Sequence, residues 1–315
     1  MFCTEPFVHS LKKRLHFQKK VCQRPPFSAV GVDLAGPIYR KDTSGKNSLK
    51  TWLVLFTCAV VRAVYIELVE SQSADDFMKA FERFSARRGK PEIVYSDNGI
   101  NFKCASRILT SRGIRWKFNV QRAPRWGGFW ERLIRMTKEA LRRTLGRNLL
   151  TWEELSTVLC QIEAAINARP LTALSEDPDD IRPLSPQDFL RDNPSEPGTG
   201  DHQYADVYAV SGHDLKSMTK YRLQVLQHLW KRWKTEYLRE LRLPLQAGTQ
   251  RRGPKEQDFV LIEDNPRSSR ALWRTGVIEK LLPGRDACVR SATVRTKDGI
   301  LVRPIQRLHL LEGAP

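Results

Sequence analysis

The sequence predicts an α/β core followed by a small all-β domain, and three observations predict it. Apolar, β-prone runs alternate with stretches of helical period from Ala29 to Leu171. A Pro-, Asp-, Gly- and Ser-rich stretch at 176–204 then breaks that pattern. From Asp258 to Leu311 the chain turns to short β-like runs joined by Asn-Pro, Pro-Gly and Asp-Gly pairs.

The elements follow in order. Residues 1–27 are basic and irregular and end in Pro25-Pro26. Residues 28–34 read as a strand, and 52–68 as a hairpin that breaks softly near Val61-Arg62. Ser73 is placed to cap a helix whose apolar residues Phe77, Ala80, Phe81 and Phe84 fall at i, i+3, i+4 and i+7. Gly89 and Pro91 end that helix. A short strand at 92–96 leads into Asp97, a short helix follows, and 113–120 reads as a further strand. Residues 129–145 are expected to be helical, closed by Gly146. Thr151-Trp152-Glu153-Glu154 is a capping box that opens a helix with core face Leu155, Val158, Leu159, Ile162 and Ile166; Pro170 stops it. One sheet with helices on its faces is the packing solution for this order.

Residues 216–241 predict a long basic amphipathic helix, and the Trp230 and Trp233 stripe on it reads as packing. The runs Phe259 to Ile262, Thr275 to Ile278, Ala287 to Val289, Ala292 to Val294 and Ile300 to Val302 suggest a small barrel. The expected organisation is a basic leader at 1–25, the α/β core at 26–175, a linker at 176–214, the helical segment at 215–248 and the barrel at 255–312.

Composition narrows the partners. The chain has 53 Lys plus Arg against 35 Asp plus Glu, a formal net charge of +18, and such an excess favours a polyanion. A membrane partner is not expected: there is no lipidation motif, no apolar stretch of spanning length and no secretory signal at the start. The six cysteines lie far apart with no C-x-x-C pair, and Cys58 and Cys160 read as buried thiols. A reducing compartment, nucleus and cytoplasm, is the expected setting.

Three carboxylates stand in contexts that point to chemistry. Asp33 follows the first apolar run, Asp97 follows a short strand and precedes the turn pair Asn98-Gly99, and Glu131 follows Gly127-Gly128 at a helix start. Acidic groups that converge from distant points in sequence can hold divalent ions through hard oxygen ligands. Two such ions suit phosphoryl transfer, because one activates the attacking oxygen and the other stabilises the leaving one. Arg135, Lys138 and Arg142 share a helix face with Glu131, and Arg122 and Arg125 precede the Gly-Gly turn. These, with Lys231 on the basic helix and Arg274 in the barrel, are candidate contacts to a phosphate backbone.

The stretches Gly31-Val32-Asp33-Leu34-Ala35-Gly36-Pro37, Ser96-Asp97-Asn98-Gly99-Ile100-Asn101-Phe102 and Ala123-Pro124-Arg125-Trp126-Gly127-Gly128-Phe129-Trp130-Glu131 resemble the DDE integrase core of retroviruses and long-terminal-repeat retrotransposons. Residues 162–171, 183–190 and 229–238 narrow the resemblance to BEL/Pao-type retrotransposon integrases. The resemblance implies an RNase H-like mixed sheet flanked by helices, then a helical segment and a small SH3-like β-barrel. It implies a polynucleotidyl transferase that trims the 3′ ends of an element's DNA and joins them to target DNA. Asp33, Asp97 and Glu131 would be catalytic and would hold two Mg²⁺ or Mn²⁺ ions. Double-stranded DNA and further copies of the chain are the implied partners. The alternative is a catalytically inactive, domesticated DNA-binding descendant.

Two departures from the family pattern stand out. Cys3, His9, His16 and Cys22 do not have the order or spacing of the zinc-binding module that precedes such cores, so no zinc is expected in this chain. Gly284-Arg285-Asp286-Ala287 replaces the Gly-x-Asp-Gly turn of the barrel.

Overall fold

Long β-branched and aromatic runs need partners on both edges, and five of them pair into one mixed sheet in the computed structural model. The structure describes residues 24–42, 47–118, 133–139, 141, 149–173, 183–190, 233, 235–239, 241–242, 253–263, 274–284 and 288–311. The chain falls into two compact units, Gln23–Asn167 with Ser211–Trp233, and Met1–Cys22 with Ala168–Val210 and Lys234–Pro315.

The mixed sheet belongs to the first of these units. Its strands are β1 (Ala29–Lys41), β2 (Ser48–Cys58), β3 (Val64–Val69), β4 (Ile93–Ser96) and β5 (Arg115–Phe118), in the order β3-β2-β1-β4-β5. β1, β2 and β3 pair antiparallel, whereas β4 runs parallel to both β1 and β5. Parallel pairs need crossover connections. Helix α1 (Ala74–Arg88) makes the crossover from β3 to β4, and α2 (Ile100–Ser111) the one from β4 to β5. This is the mixed sheet with flanking helices that the RNase H-like expectation requires.

Every residue of β3 is buried, which explains why its sequence is almost continuously apolar rather than alternating. α1 packs its Phe face into this layer: the Phe84 ring stacks on Phe56 at 4.3 Å and meets Phe27 edge-on at 5.4 Å. Its ends are as the sequence indicates, with the Ser73 hydroxyl accepting from Asp76 N and Gly89 at φ 87° closing the helix. Helix α3 (Trp152–Asn167) starts on the reciprocal Thr151 and Glu154 box. It covers the outer edge of β3, where the Glu163 carboxylate accepts from Ile66 N at 2.9 Å. An edge strand closed in this way cannot template pairing with another chain.

Two expectations on this unit are corrected. β1 does not stop at Leu34 but runs to Lys41, because its second half continues to pair with β2 past a register shift between Ala35 and Ile38. Gly36 sits in that shift at φ 142°, and a Cβ there would lie 2.7 Å from Trp52 Cδ1, so only glycine fits. Cys160 is exposed, since α3 turns Leu159 and Ile162 inward on either side of it. Cys58 is buried, and its thiol accepts the Phe27 N–H at 3.0 Å.

The second unit opens with a two-stranded ladder, β6 (Thr172–Ala173) against β7 (Pro183–Leu184). Its main sheet is wholly antiparallel: β8 (Phe259–Ile262), β9 (Arg274–Pro283), β10 (Val289–Thr296), β11 (Gly299–Pro304) and β12 (Leu308–Leu310), in the order β11-β10-β9-β8-β12. Val260, Ile278, Val294 and Leu310, from four different strands, share one buried cluster. A flat sheet would keep such distant strands apart, so the strands curl around a common core as a small barrel does. The run expected at 292–294 lies inside β10, which also takes in Val289 from the run expected at 287–289; residue 287 is outside the described residues. Residues 235–239, 241 and 242 are helical, with Tyr237 and Leu241 buried. Tyr237 donates its hydroxyl to Pro170 O at 2.8 Å.

Residues 1–23 of the basic leader, the segment 119–132, most of the linker at 176–214 and of the basic helix at 215–248, and the turn residues 285–287 lie outside the described residues. Among the described residues no helix is long and apolar enough to cross a membrane.

Candidate functional site

The parallel pairing of β1 with β4 is what brings two of the three sequence carboxylates together. Val30 stands opposite Val94 and Gly31 opposite Tyr95. Continuing that register by two residues sets Asp33 level with Asp97, just past the end of β4. The Asp97 charge is felt at Asp33, where it helps to raise the pKa.

Each aspartate is held by its local backbone. Asp33 is half-buried in the middle of β1, and its Oδ1 accepts the Leu34 N–H at 2.7 Å. Asp97 is exposed, and its Oδ1 accepts the Gly99 N–H at 3.0 Å, which bends the chain into the turn that starts α2. A Cβ on Gly99 would meet Asp97 Oδ1 at 3.1 Å and Asn101 Oδ1 at 2.6 Å, so glycine keeps room for the carboxylate.

The third element of the site is the helical stretch 133–139. Leu133, Ile134 and Met136 are buried, as is Leu141 beyond it, and they fix its inward face. Lys138 falls within that inward row, four residues after Ile134 and three before Leu141. Its Nζ lies 2.6 Å from Asp33 Oδ2. Burial raises the Asp33 pKa above its ordinary value, the Lys138 ammonium opposes the rise, and Asp97 adds to it. A cavity of about 490 Å³ opens beside Asp33, lined also by Gly36, Ile38, Arg135, Lys138 and Glu139.

The donor set suits a hard divalent cation. Mg²⁺ is commonly held by one or two carboxylates, with waters and substrate phosphates filling the remaining positions. Asp33 and Asp97 supply such carboxylates, and each Oδ1 that accepts a backbone N–H keeps a second lone pair. No group of three or more His, Cys, Asp or Glu residues in metal-holding arrangement occurs among the described residues. Glu131 lies outside them, as do Arg122, Arg125, Arg142 and Lys231.

Of the basic residues singled out from sequence, Arg135 is exposed at the cavity rim, and Lys138 faces Asp33 rather than open solvent. Arg274 is in the second unit, where its Nη2 pairs with Asp298 Oδ2 at 3.3 Å. The ion pair of Lys138 with Asp33 was not foreseen. Its signal was present, because a lysine inside the apolar row Ile134 and Leu141 has to aim inward.

Residues 218–311 match a family model described as a family of unknown function, DUF5641. No curated protein matches the chain. Among solved structures, the chain is similar to the HTLV-2 integrase catalytic core domain in complex with magnesium, at 18% identity over 53% of this chain and 98% of that one, with a TM-score of 0.37. It is also similar to the simian T-cell lymphotropic virus intasome in complex with PP2A regulatory subunit B56 gamma, at 13% identity over 91% and 79%, TM-score 0.38. A third is the catalytic core domain of BIV integrase, at 16% identity over 45% and 85%, TM-score 0.34.

Proposed function

We propose that this chain is a metal-dependent polynucleotidyl transferase of the integrase type, from the BEL/Pao lineage of retrotransposons. The observation that carries the reading is the register of β1 on β4, which sets Asp33 beside Asp97 next to a cavity edged by Arg135 and Lys138. The net charge of +18 supports DNA as the substrate.

In this reading Asp33, Asp97 and Glu131 hold Mg²⁺ or Mn²⁺, two ions per site. Bound there, the metal supplies Lewis-acid stabilisation of the charge that builds on the phosphoryl oxygens. The chain's own residues position the DNA: Arg135 on the cavity rim binds a backbone phosphate, and the half-buried floor around Asp33 limits competing water. A water oxygen, and later a DNA 3′-hydroxyl, attacks phosphorus while the bond to the leaving 3′-oxygen breaks. Such joining holds two DNA ends at once, so a homo-oligomer belongs to the proposal. Nucleus and cytoplasm are its compartments.

The test is Mg²⁺- or Mn²⁺-dependent phosphoryl transfer on a branched DNA that mimics the joined product, which does not require the element's true ends. Activity lost in Asp97→Asn and Glu131→Gln, with DNA affinity retained, supports the reading. Folded wild-type protein that binds this DNA and never cleaves or rejoins it favours an inactive DNA-binding descendant instead.

A further inference from the structure

We propose that Lys138 is the resident counter-ion of Asp33, and that a divalent cation has to displace it before Asp33 can act as a metal ligand. The inference rests on the function proposed above. Both Asp33 oxygens already accept a donor: Oδ1 takes the Leu34 N–H at 2.7 Å and Oδ2 the Lys138 ammonium at 2.6 Å. A cation bound at Oδ2 would stand within a few ångströms of that ammonium, with like charges facing each other.

The pair is built into the fold. The backbone donor is a neighbour in β1 and does not move. The lysine is on a long side chain that is 32% exposed, so it is the partner able to leave. Its position falls in the helical row between the buried Ile134 and Leu141, and the adjoining cavity, which Lys138 helps to line, gives the ammonium somewhere to go. Lys138 then changes role. While paired it neutralises a carboxylate in a partly dehydrated place; once displaced it presents a positive charge at the mouth of the same cavity, where a phosphate would lie. Metal loading and phosphate capture are thereby coupled through one side chain.

The experiment measures Mn²⁺ binding to the full chain without DNA, by electron paramagnetic resonance of the free ion, for wild type, Lys138→Met and Asp33→Asn. Lys138→Met should bind Mn²⁺ tighter by roughly thirtyfold, the factor a unit charge about 4 Å from a doubly charged ion imposes in a water-like dielectric. Asp33→Asn should lose binding. Equal or weaker binding by Lys138→Met, with Asp33→Asn still deficient, overturns the counter-ion role and leaves the proposed function standing. No binding by any of the three overturns both. A second readout needs no variant: acylation of Lys138 by an amine-reactive reagent, mapped by mass spectrometry, should speed up when Mg²⁺ is added to wild type. An unchanged rate overturns the displacement.

Discussion

Asn167 is bonded through both ends of its side-chain amide to a single residue, Val64: its Oδ1 accepts Val64 N–H at 2.8 Å, and its Nδ2 donates to Val64 O at 2.8 Å. The last residue of α3 thus does for edge strand β3 what a neighbouring strand would do. Both residues are buried, so water cannot replace the lost partners. Asn167→Leu is expected to lower the unfolding free energy by roughly 2–3 kcal/mol, from two forfeited hydrogen bonds and two buried backbone groups left unpaired. Urea unfolding followed by circular dichroism measures it, and an unchanged midpoint would remove the edge-closing role.

Phe84 is fully buried, lies flat against Phe56 and meets Tyr65 at 5.4 Å. Its removal leaves a cavity in the layer that backs the β1 and β2 floor of the site. Phe84→Ala should cost about 3–5 kcal/mol. Phe84→Leu should cost clearly less, because most of the volume is kept. The comparison of the two in denaturant checks that packing, rather than some special property of the ring, is what matters.

Asp33 carries a pH signature of opposite sign to the usual carboxylate. Its folded-state pKa is raised, chiefly by desolvation, above the ordinary 3.8. The folded state therefore binds the proton more tightly than the unfolded one, and stability falls as pH rises from 3.8 through the folded pKa. Above that window the charged carboxylate is a net strain on the fold. Asp33→Asn is expected to raise the thermal midpoint at neutral pH by a few degrees at most, even as metal binding is lost. A lower midpoint in differential scanning calorimetry would contradict the sign.

His309 makes the β domain sensitive to acid. Its side chain is 1% exposed, and its Nε2 lies 3.1 Å from Glu263 Oε2, which also accepts Arg242 Nη2 at 2.8 Å. Desolvation lowers its pKa below the ordinary 6.5, the Arg242 charge adds to this, and Glu263 opposes it. The unfolded chain takes up the proton first, so the stability present above pH 6.5 is lost as pH falls through that value toward the folded pKa. The thermal midpoint of the β domain should drop between pH 7.5 and 5, and His309→Gln should flatten that dependence. Identical slopes in the two proteins would rule His309 out as the source.

Legibility from sequence differed by element. The Ser73 cap, the Phe77 to Phe84 stripe and the Thr151 box were readable because each is made by residues within a turn or two of one another. The continuation of β1 beyond Leu34 was not readable. Gly36-Pro37 looks like a terminator, and only pairing with β2 on the far side of the register shift carries the strand onward. β12 was missed because Leu308, His309 and Leu310 form too short a run to stand out, and β8 is what makes it a strand.

The candidate site divides in the same way. The sequence by itself determined that Asp33 and Asp97 follow apolar β-prone runs, that a basic helix accompanies them and that the chain suits a polyanion, since composition, period and turn chemistry are local properties. Only the tertiary structure decided that β4 lies parallel to β1, and so that the two aspartates come level although they are far apart in the chain. It also decided that Lys138 spends its charge on Asp33. Strand order and side-chain partners across elements follow from which faces bury together, and burial is a property of the whole packed chain rather than of any segment.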